Sequence, residues 1–162
     1  MNQQQKKLLK QLAQIGEIIL IQEGNKRIKL NEKGEVSLKS HFEAIVYFFQ
    51  RLDTNMLALI LEDSCTYQDY DKKTFLKKLS LVFEELTSKG NTFLNVYQGK
   101  CNSSVCTNIN CTGFSFLGNM TNDYMDLILE VEDGRVIDIY ECHDFKMEDD
   151  TIQKNYKMTF ED

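Results

Sequence analysis

Tyr124-Met125-Asp126-Leu127-Ile128-Leu129-Glu130-Val131-Glu132-Asp133-Gly134-Arg135-Val136-Ile137-Asp138-Ile139-Tyr140-Glu141-Cys142 is the stretch that decides the fold. Met125, Leu127, Leu129 and Val131 recur at alternate positions, which is the period of a half-buried strand. Asp133-Gly134 is the chemistry of a tight hairpin turn, because both residues tolerate positive φ. Tyr124 to Val131 and Val136 to Cys142 are therefore expected to be paired antiparallel strands. The same period of two runs through Thr92 to Lys100 and Gly113 to Leu117, with a looser turn at Gly118 to Asn122. A four-strand meander follows.

Upstream of Gly90 the period is helical. Phe75, Leu76, Leu79, Val82, Phe83 and Leu86 line one side of a segment that Asp71 caps and Gly90 ends. Asp53 is placed to cap a shorter helix, Thr54 to Leu61, carrying Met56, Leu57, Ile60 and Leu61. Before it, Ser40 and Glu43 have the spacing of a capping box, and Phe42, Ile45, Val46, Phe49 and Leu52 form an apolar stripe. Cys65 to Tyr70 has the composition of a short strand. Residues 6 to 15 predict a helix closed by Gly16. Glu17 to Gln22 and Lys26 to Leu30 predict a hairpin around Gly24-Asn25. Asp144 to Asp162 mixes apolar and charged residues and fits either a final edge strand or a docked tail.

The order of elements gives an α+β fold, with N-terminal helices packed on a curved, mainly antiparallel sheet. A chain of 162 residues with 42% hydrophobic content can bury one core without disulfides. The expected organisation is an arm at 1–39 and a domain at 40–162. With 25 acidic and 19 basic residues the formal charge is −6, and the lysines fall on two amphipathic segments, so no nucleic-acid groove is expected. The apolar run Ile18 to Ile21 is far shorter than a secretory or membrane-spanning segment, so a cytoplasmic, membrane-free protein is expected. Five cysteines, an odd number, fit that reducing compartment.

From His41 to Cys142 the chain resembles the nuclear-transport-factor-2-like, or SnoaL-like, α+β cone family. The likeness lies in Phe48-Phe49-Gln50-Arg51-Leu52-Asp53, Leu57 to Leu61 with Glu62-Asp63, Tyr67, the Lys72 to Leu86 helix and Asp133-Gly134-Arg135-Val136. The resemblance implies a conical pocket between helices and sheet, used in the family by isomerases, hydrolases, accessory domains and protein-binding members. It also implies sheet-to-sheet homodimers. The arm and a cysteine-bearing loop depart from the family pattern, and no family catalytic residue carries over.

That loop, Lys100-Cys101-Asn102-Ser103-Ser104-Val105-Cys106-Thr107-Asn108-Ile109-Asn110-Cys111-Thr112-Gly113, is the chain's one concentration of reactive side chains. Antiparallel pairing of its flanking strands sets Cys101 against Cys111, with Cys106 at the tip. Three thiolates suit a structural zinc ion, which takes four ligands in a tetrahedron. Cys142 and His143 are the candidate fourth ligands by chemistry, with His41, Asp144 or an arm residue as others. Register counting along the meander sets Cys142 beside about residue 125 and then about residue 117, at the far end of the strands from the loop. Free thiols and a redox pair remain alternatives, and Cys65 fits a small buried hydrophobe.

Two function classes follow. One is a cytoplasmic module that binds an unidentified small molecule or protein, with the cysteine loop as a metal clasp. The other is a pocket isomerase or hydrolase using Asp138 as base, assisted by Tyr140 or His143. Asp138 and Tyr140 share a strand face, whereas Asp138 and Glu141 point to opposite faces. Solvated polar positions on a half-exposed sheet are the plainer explanation of all three. No Ser-His-Asp order, phosphate-binding glycine loop or His-Glu-x-x-His helix occurs.

Overall fold

The computed structural model describes residues 41–102 and 111–160, together with the backbone of three short strands nearer the N-terminus; at Cys111 it describes the backbone alone. Those strands, β1 (Leu20–Gln22), β2 (Arg27–Leu30) and β3 (Val36–Leu38), form an antiparallel sheet in which Gln22 pairs with Arg27. The expected hairpin is there, with a third strand that the pattern did not announce. The helix at 6 to 15, the Gly24-Asn25 turn and Ser40 lie outside the described residues.

Three helices follow: α1 (His41–Gln50), α2 (Thr54–Ile60) and α3 (Lys72–Ser88). Both aspartates act as caps, Asp53 accepting from the Met56 N–H at 3.0 Å and Asp71 from the Thr74 N–H at 2.7 Å. Gly90, at φ 97°, ends the last turn of α3. Between α2 and α3 the expected single strand is instead a tight hairpin, β4 (Thr66–Tyr67) and β5 (Tyr70–Asp71), turning on Gln68 and Asp69 at φ 50° and 65°. Two successive positive φ values make a turn whose usual glycine or asparagine is missing here, so the sequence concealed it.

The main sheet comprises β6 (Leu94–Cys101), β7 (Cys111–Gly118), β8 (Tyr124–Glu132), β9 (Arg135–Glu141) and β10 (Phe145–Met147), in the order β10-β6-β7-β8-β9. All its pairs are antiparallel. This is the expected α+β arrangement, and the four meander strands lie within two residues of their expected bounds. On one face Leu94, Phe116, Met125, Leu127, Leu129, Val136 and Ile139 meet the helices through Ile45, Phe48, Phe49, Leu57, Phe75, Leu79 and Leu86, in one continuous core. Burying each such side chain contributes about 1.5–3 kcal/mol.

The sheet has to curl. β9 and β10 stand at opposite edges, and only residues 142–144 connect them. A flat sheet would separate those edges by about 19 Å at ~4.8 Å per strand, whereas four residue steps span at most about 14 Å. The crossing lies on the face away from the helices, where the Phe145 ring is pressed onto Gly99 and Gly113. A Cβ at Gly113 would come within 2.7 Å of that ring, so neither strand can carry a side chain there. Beyond β10 the chain returns along the vacated edge of β8, with Tyr124 bridging Lys157, before Met158 and Phe160 enter the core. The C-terminal segment is thus both an edge strand and a docked tail.

Candidate functional site

The curl brings two distant parts of the sequence to one end of the sheet. Gly99 pairs with Gly113, and continuing that register by two residues sets Cys101 opposite Cys111, as expected from the loop's symmetry. Cys101 also pairs with Phe145, Cys111 with Glu130, and Glu130 with Asp138. One row across the sheet therefore reads Phe145, Cys101, Cys111, Glu130, Asp138. The crossing turn lies beside it, because the Asn102 N–H donates to the Asp144 carbonyl at 2.7 Å. His143 and Asp144, both exposed, belong to that turn, and Cys101 is half-buried.

Cys142 is placed differently. It is buried at 2% exposure, its N–H donates to the Asp126 carbonyl, and its own carbonyl accepts from Lys157 Nζ at 3.2 Å. Asp126 in turn pairs with Ser115 and Ser115 with Tyr97, so Cys142 is level with a row four residues along β6 from Cys101. Register counting anticipated that offset to within about two residues. It could not anticipate that the chain turns straight back toward the loop at His143. Among the described residues no group of three or more His, Cys, Asp or Glu side chains is arranged to hold a metal ion. Cys106 and the Cys111 side chain lie outside those residues.

His41 is not available as a ligand. It is 4% exposed, Nδ1 accepts the Val136 N–H at 2.9 Å, and Nε2 is 2.5 Å from the Ile60 carbonyl. A carbonyl only accepts, so the ring is the neutral Nε2–H tautomer, tying α1 to the end of α2 and the start of β9.

Asp138 and Tyr140 are half-buried on one face of β9, as alternation requires, and His143 is exposed beyond the strand's end. Burial pushes the Asp138 carboxyl above its ordinary range, against the opposing pull of the Gln68 and Ile139 backbone N–H groups. Glu141, on the other face and 8% exposed, accepts from Gln68 Nε2, the Thr159 hydroxyl and the Phe160 N–H. Gln68 thus reaches both carboxylates around the strand edge, with its N–H on Asp138 Oδ1 at 3.0 Å and its side-chain oxygen accepting the Glu141 N–H. The β4–β5 hairpin covers the open edge of β9 through these bonds. No sequence signal marked Gln68, whose partners are about seventy residues away.

The expected cone between helices and sheet is filled at its centre. Tyr67, Phe48, Phe49, Phe75 and Phe116 are each at most 2% exposed, and the Tyr67 hydroxyl accepts the Glu62 N–H at 2.9 Å. Burial pushes the Tyr67 hydroxyl well above the usual tyrosine range. The opposite face is also occupied, since Ser115, Leu117, Asp126 and Ile128 are already buried in the single chain. Lys154 reaches in from the tail to Asp126 Oδ1 at 2.7 Å, with its ammonium over the rings of Tyr124 and Phe145, and the Ser115 hydroxyl donates to the same carboxylate. No helix among the described residues is long and apolar enough to cross a membrane. Comparison with protein-family models, curated proteins and solved structures found no match to this chain.

Proposed function

We propose that the chain is a nuclear-transport-factor-2-like cytoplasmic binding module whose cysteine loop is closed by a structural zinc ion. Cys101, Cys106 and Cys111 are the thiolate ligands and His143 is the fourth, with Cys142 as its rival. The single observation that supports this reading is the Asn102–Asp144 hydrogen bond, which sets the His143 corner against the base of the loop. The donor set fits, since three thiolates with one imidazole make a closed tetrahedral zinc site. Glu130 and Asp138, in the same register row, add negative charge that favours a cation. Zinc there would tie the end of β6–β7 to the crossing turn and supply structure alone.

Elemental analysis of the purified protein tests it. Stoichiometric zinc is expected, lost in Cys101→Ser and His143→Ala and retained in Cys142→Ser. Metal-free protein with unchanged thermal stability in those variants would remove the clasp. Retention in His143→Ala with loss in Cys142→Ser would exchange the fourth ligand.

The second reading, a small-molecule isomerase or hydrolase with Asp138 as base, draws on the burial that raises that carboxyl and on Tyr140 beside it. Against it stands the commitment of Asp138 Oδ1 to the Gln68 N–H. Unchanged turnover in Asp138→Asn, measured on any substrate found, would eliminate it.

A further inference from the structure

Away from the sheet, a surface groove of about 440 Å³ runs between the α1–α2 junction and the C-terminal half of α3. That volume is within the range of small-molecule sites. Leu52 and Phe83 are its apolar lining, and Phe83 is fixed from behind by edge-on contact with Phe49. The rim is polar and rich in acceptors. The Thr87 hydroxyl donates to the Phe83 carbonyl at 2.8 Å and the Ser88 hydroxyl to the Glu85 carbonyl at 2.7 Å, so both oxygens have only lone pairs to offer a ligand.

Glu84 supplies the one formal charge in the lining. The neighbouring ions are engaged elsewhere: Glu85 and Asp123 face Lys89, and Arg51 is held on Tyr47. The negative end of the α3 dipole lies at the same end of the helix. Acceptor oxygens, an anionic rim and an aromatic floor are complementary to a donor-rich cation with a short apolar body.

We propose that this groove binds a small primary alkylammonium ion. Its N–H donors meet the Glu84 carboxylate and the Thr87 and Ser88 hydroxyl oxygens, while the alkyl chain lies along Leu52 and Phe83. This deepens the binding-module reading by naming a ligand class. Failure here leaves zinc content untouched, and failure of the clasp leaves the groove untouched, so the two are separable.

Titration of ¹⁵N-labelled protein with n-butylammonium chloride, followed by amide NMR at constant ionic strength, tests the proposal. Saturable shifts centred on Thr54, Ser80, Glu84 and Thr87 are expected. Glu84→Gln should weaken binding about tenfold, the loss of one charge-assisted hydrogen bond, and neutral n-butanol should give no saturable shift. Glu84 is exposed, so the variant keeps the fold. Shifts that never saturate, shifts that n-butanol reproduces, or equal affinity in Glu84→Gln would each overturn it.

Discussion

Replacing His41 tests the packing of the helices on the sheet at one atom-sized junction. The imidazole is the partner of both the Val136 N–H and the Ile60 carbonyl, and the ring is buried. In His41→Ala both backbone groups lose their partner away from water, at about 1–3 kcal/mol each. The variant should therefore lose about 2–6 kcal/mol, a large part of the ~5–15 kcal/mol typical of a domain. With a urea slope of about 2 kcal/mol/M, the unfolding midpoint should fall by roughly 1–3 M. Two further variants apportion the loss. His41→Asn would put its side-chain oxygen near the Nδ1 position and keep the Val136 N–H satisfied, and His41→Gln would put its nitrogen near the Nε2 position and keep the Ile60 carbonyl satisfied, so each should recover about half. Urea denaturation followed by circular dichroism reads all three. An alanine variant within about 0.5 kcal/mol of the parent, the scatter of ordinary surface substitutions, would refute the reasoning.

Gly99→Ala should cost about 1–3 kcal/mol by overpacking, since its Cβ would come within 2.5 Å of the Lys146 carbonyl and the Phe145 ring; Phe145→Ala in the same background should restore part of the loss in a thermal melt. Lys154→Met should destabilise by roughly 2–4 kcal/mol, because it leaves the Asp126 carboxylate buried without its cation, and adding Asp126→Asn should recover most of that. For Asp123, burial alone would raise the carboxyl, but Lys89, the Tyr156 N–H and the Thr121 hydroxyl together hold it below its ordinary value. A carboxyl lowered in the folded state contributes stability that is present above its unfolded pKa and lost as pH falls through the folded one. Lys89→Met removes the main opposing cation, so its destabilisation should be larger at pH 7 than near pH 4 in parallel denaturant titrations; a gap independent of pH would contradict this.

What the sequence disclosed and what it withheld divide by range. Asp53 and Asp71 capped the helices expected of them, and Asp133-Gly134 turned the hairpin, because each acts on amide groups within three residues of itself. The pairing of Cys101 with Cys111 was likewise a matter of counting from a loop centre. The Gln68-Asp69 turn was invisible because Gln68, a residue that usually avoids positive φ, is held there by bonds to Asp138 and Glu141, far along the chain. His41 looked unremarkable in a first helical turn, since its partners arrive from α2 and β9. The approach of the crossing turn to Asn102 depends on the curl of the whole sheet, which Gly99, Gly113 and Phe145 permit together and none of them signals alone. Register arithmetic on a flat sheet set Cys142 at the far end of the strands and carried no information about the turn that follows it.

X-ray absorption at the zinc edge of the purified protein tests the clasp most directly. Three sulfur neighbours at about 2.3 Å and one nitrogen at about 2.0–2.1 Å are expected, with the nitrogen contribution lost in His143→Ala. A spectrum showing only oxygen neighbours, or protein that carries no zinc to measure, would contradict it.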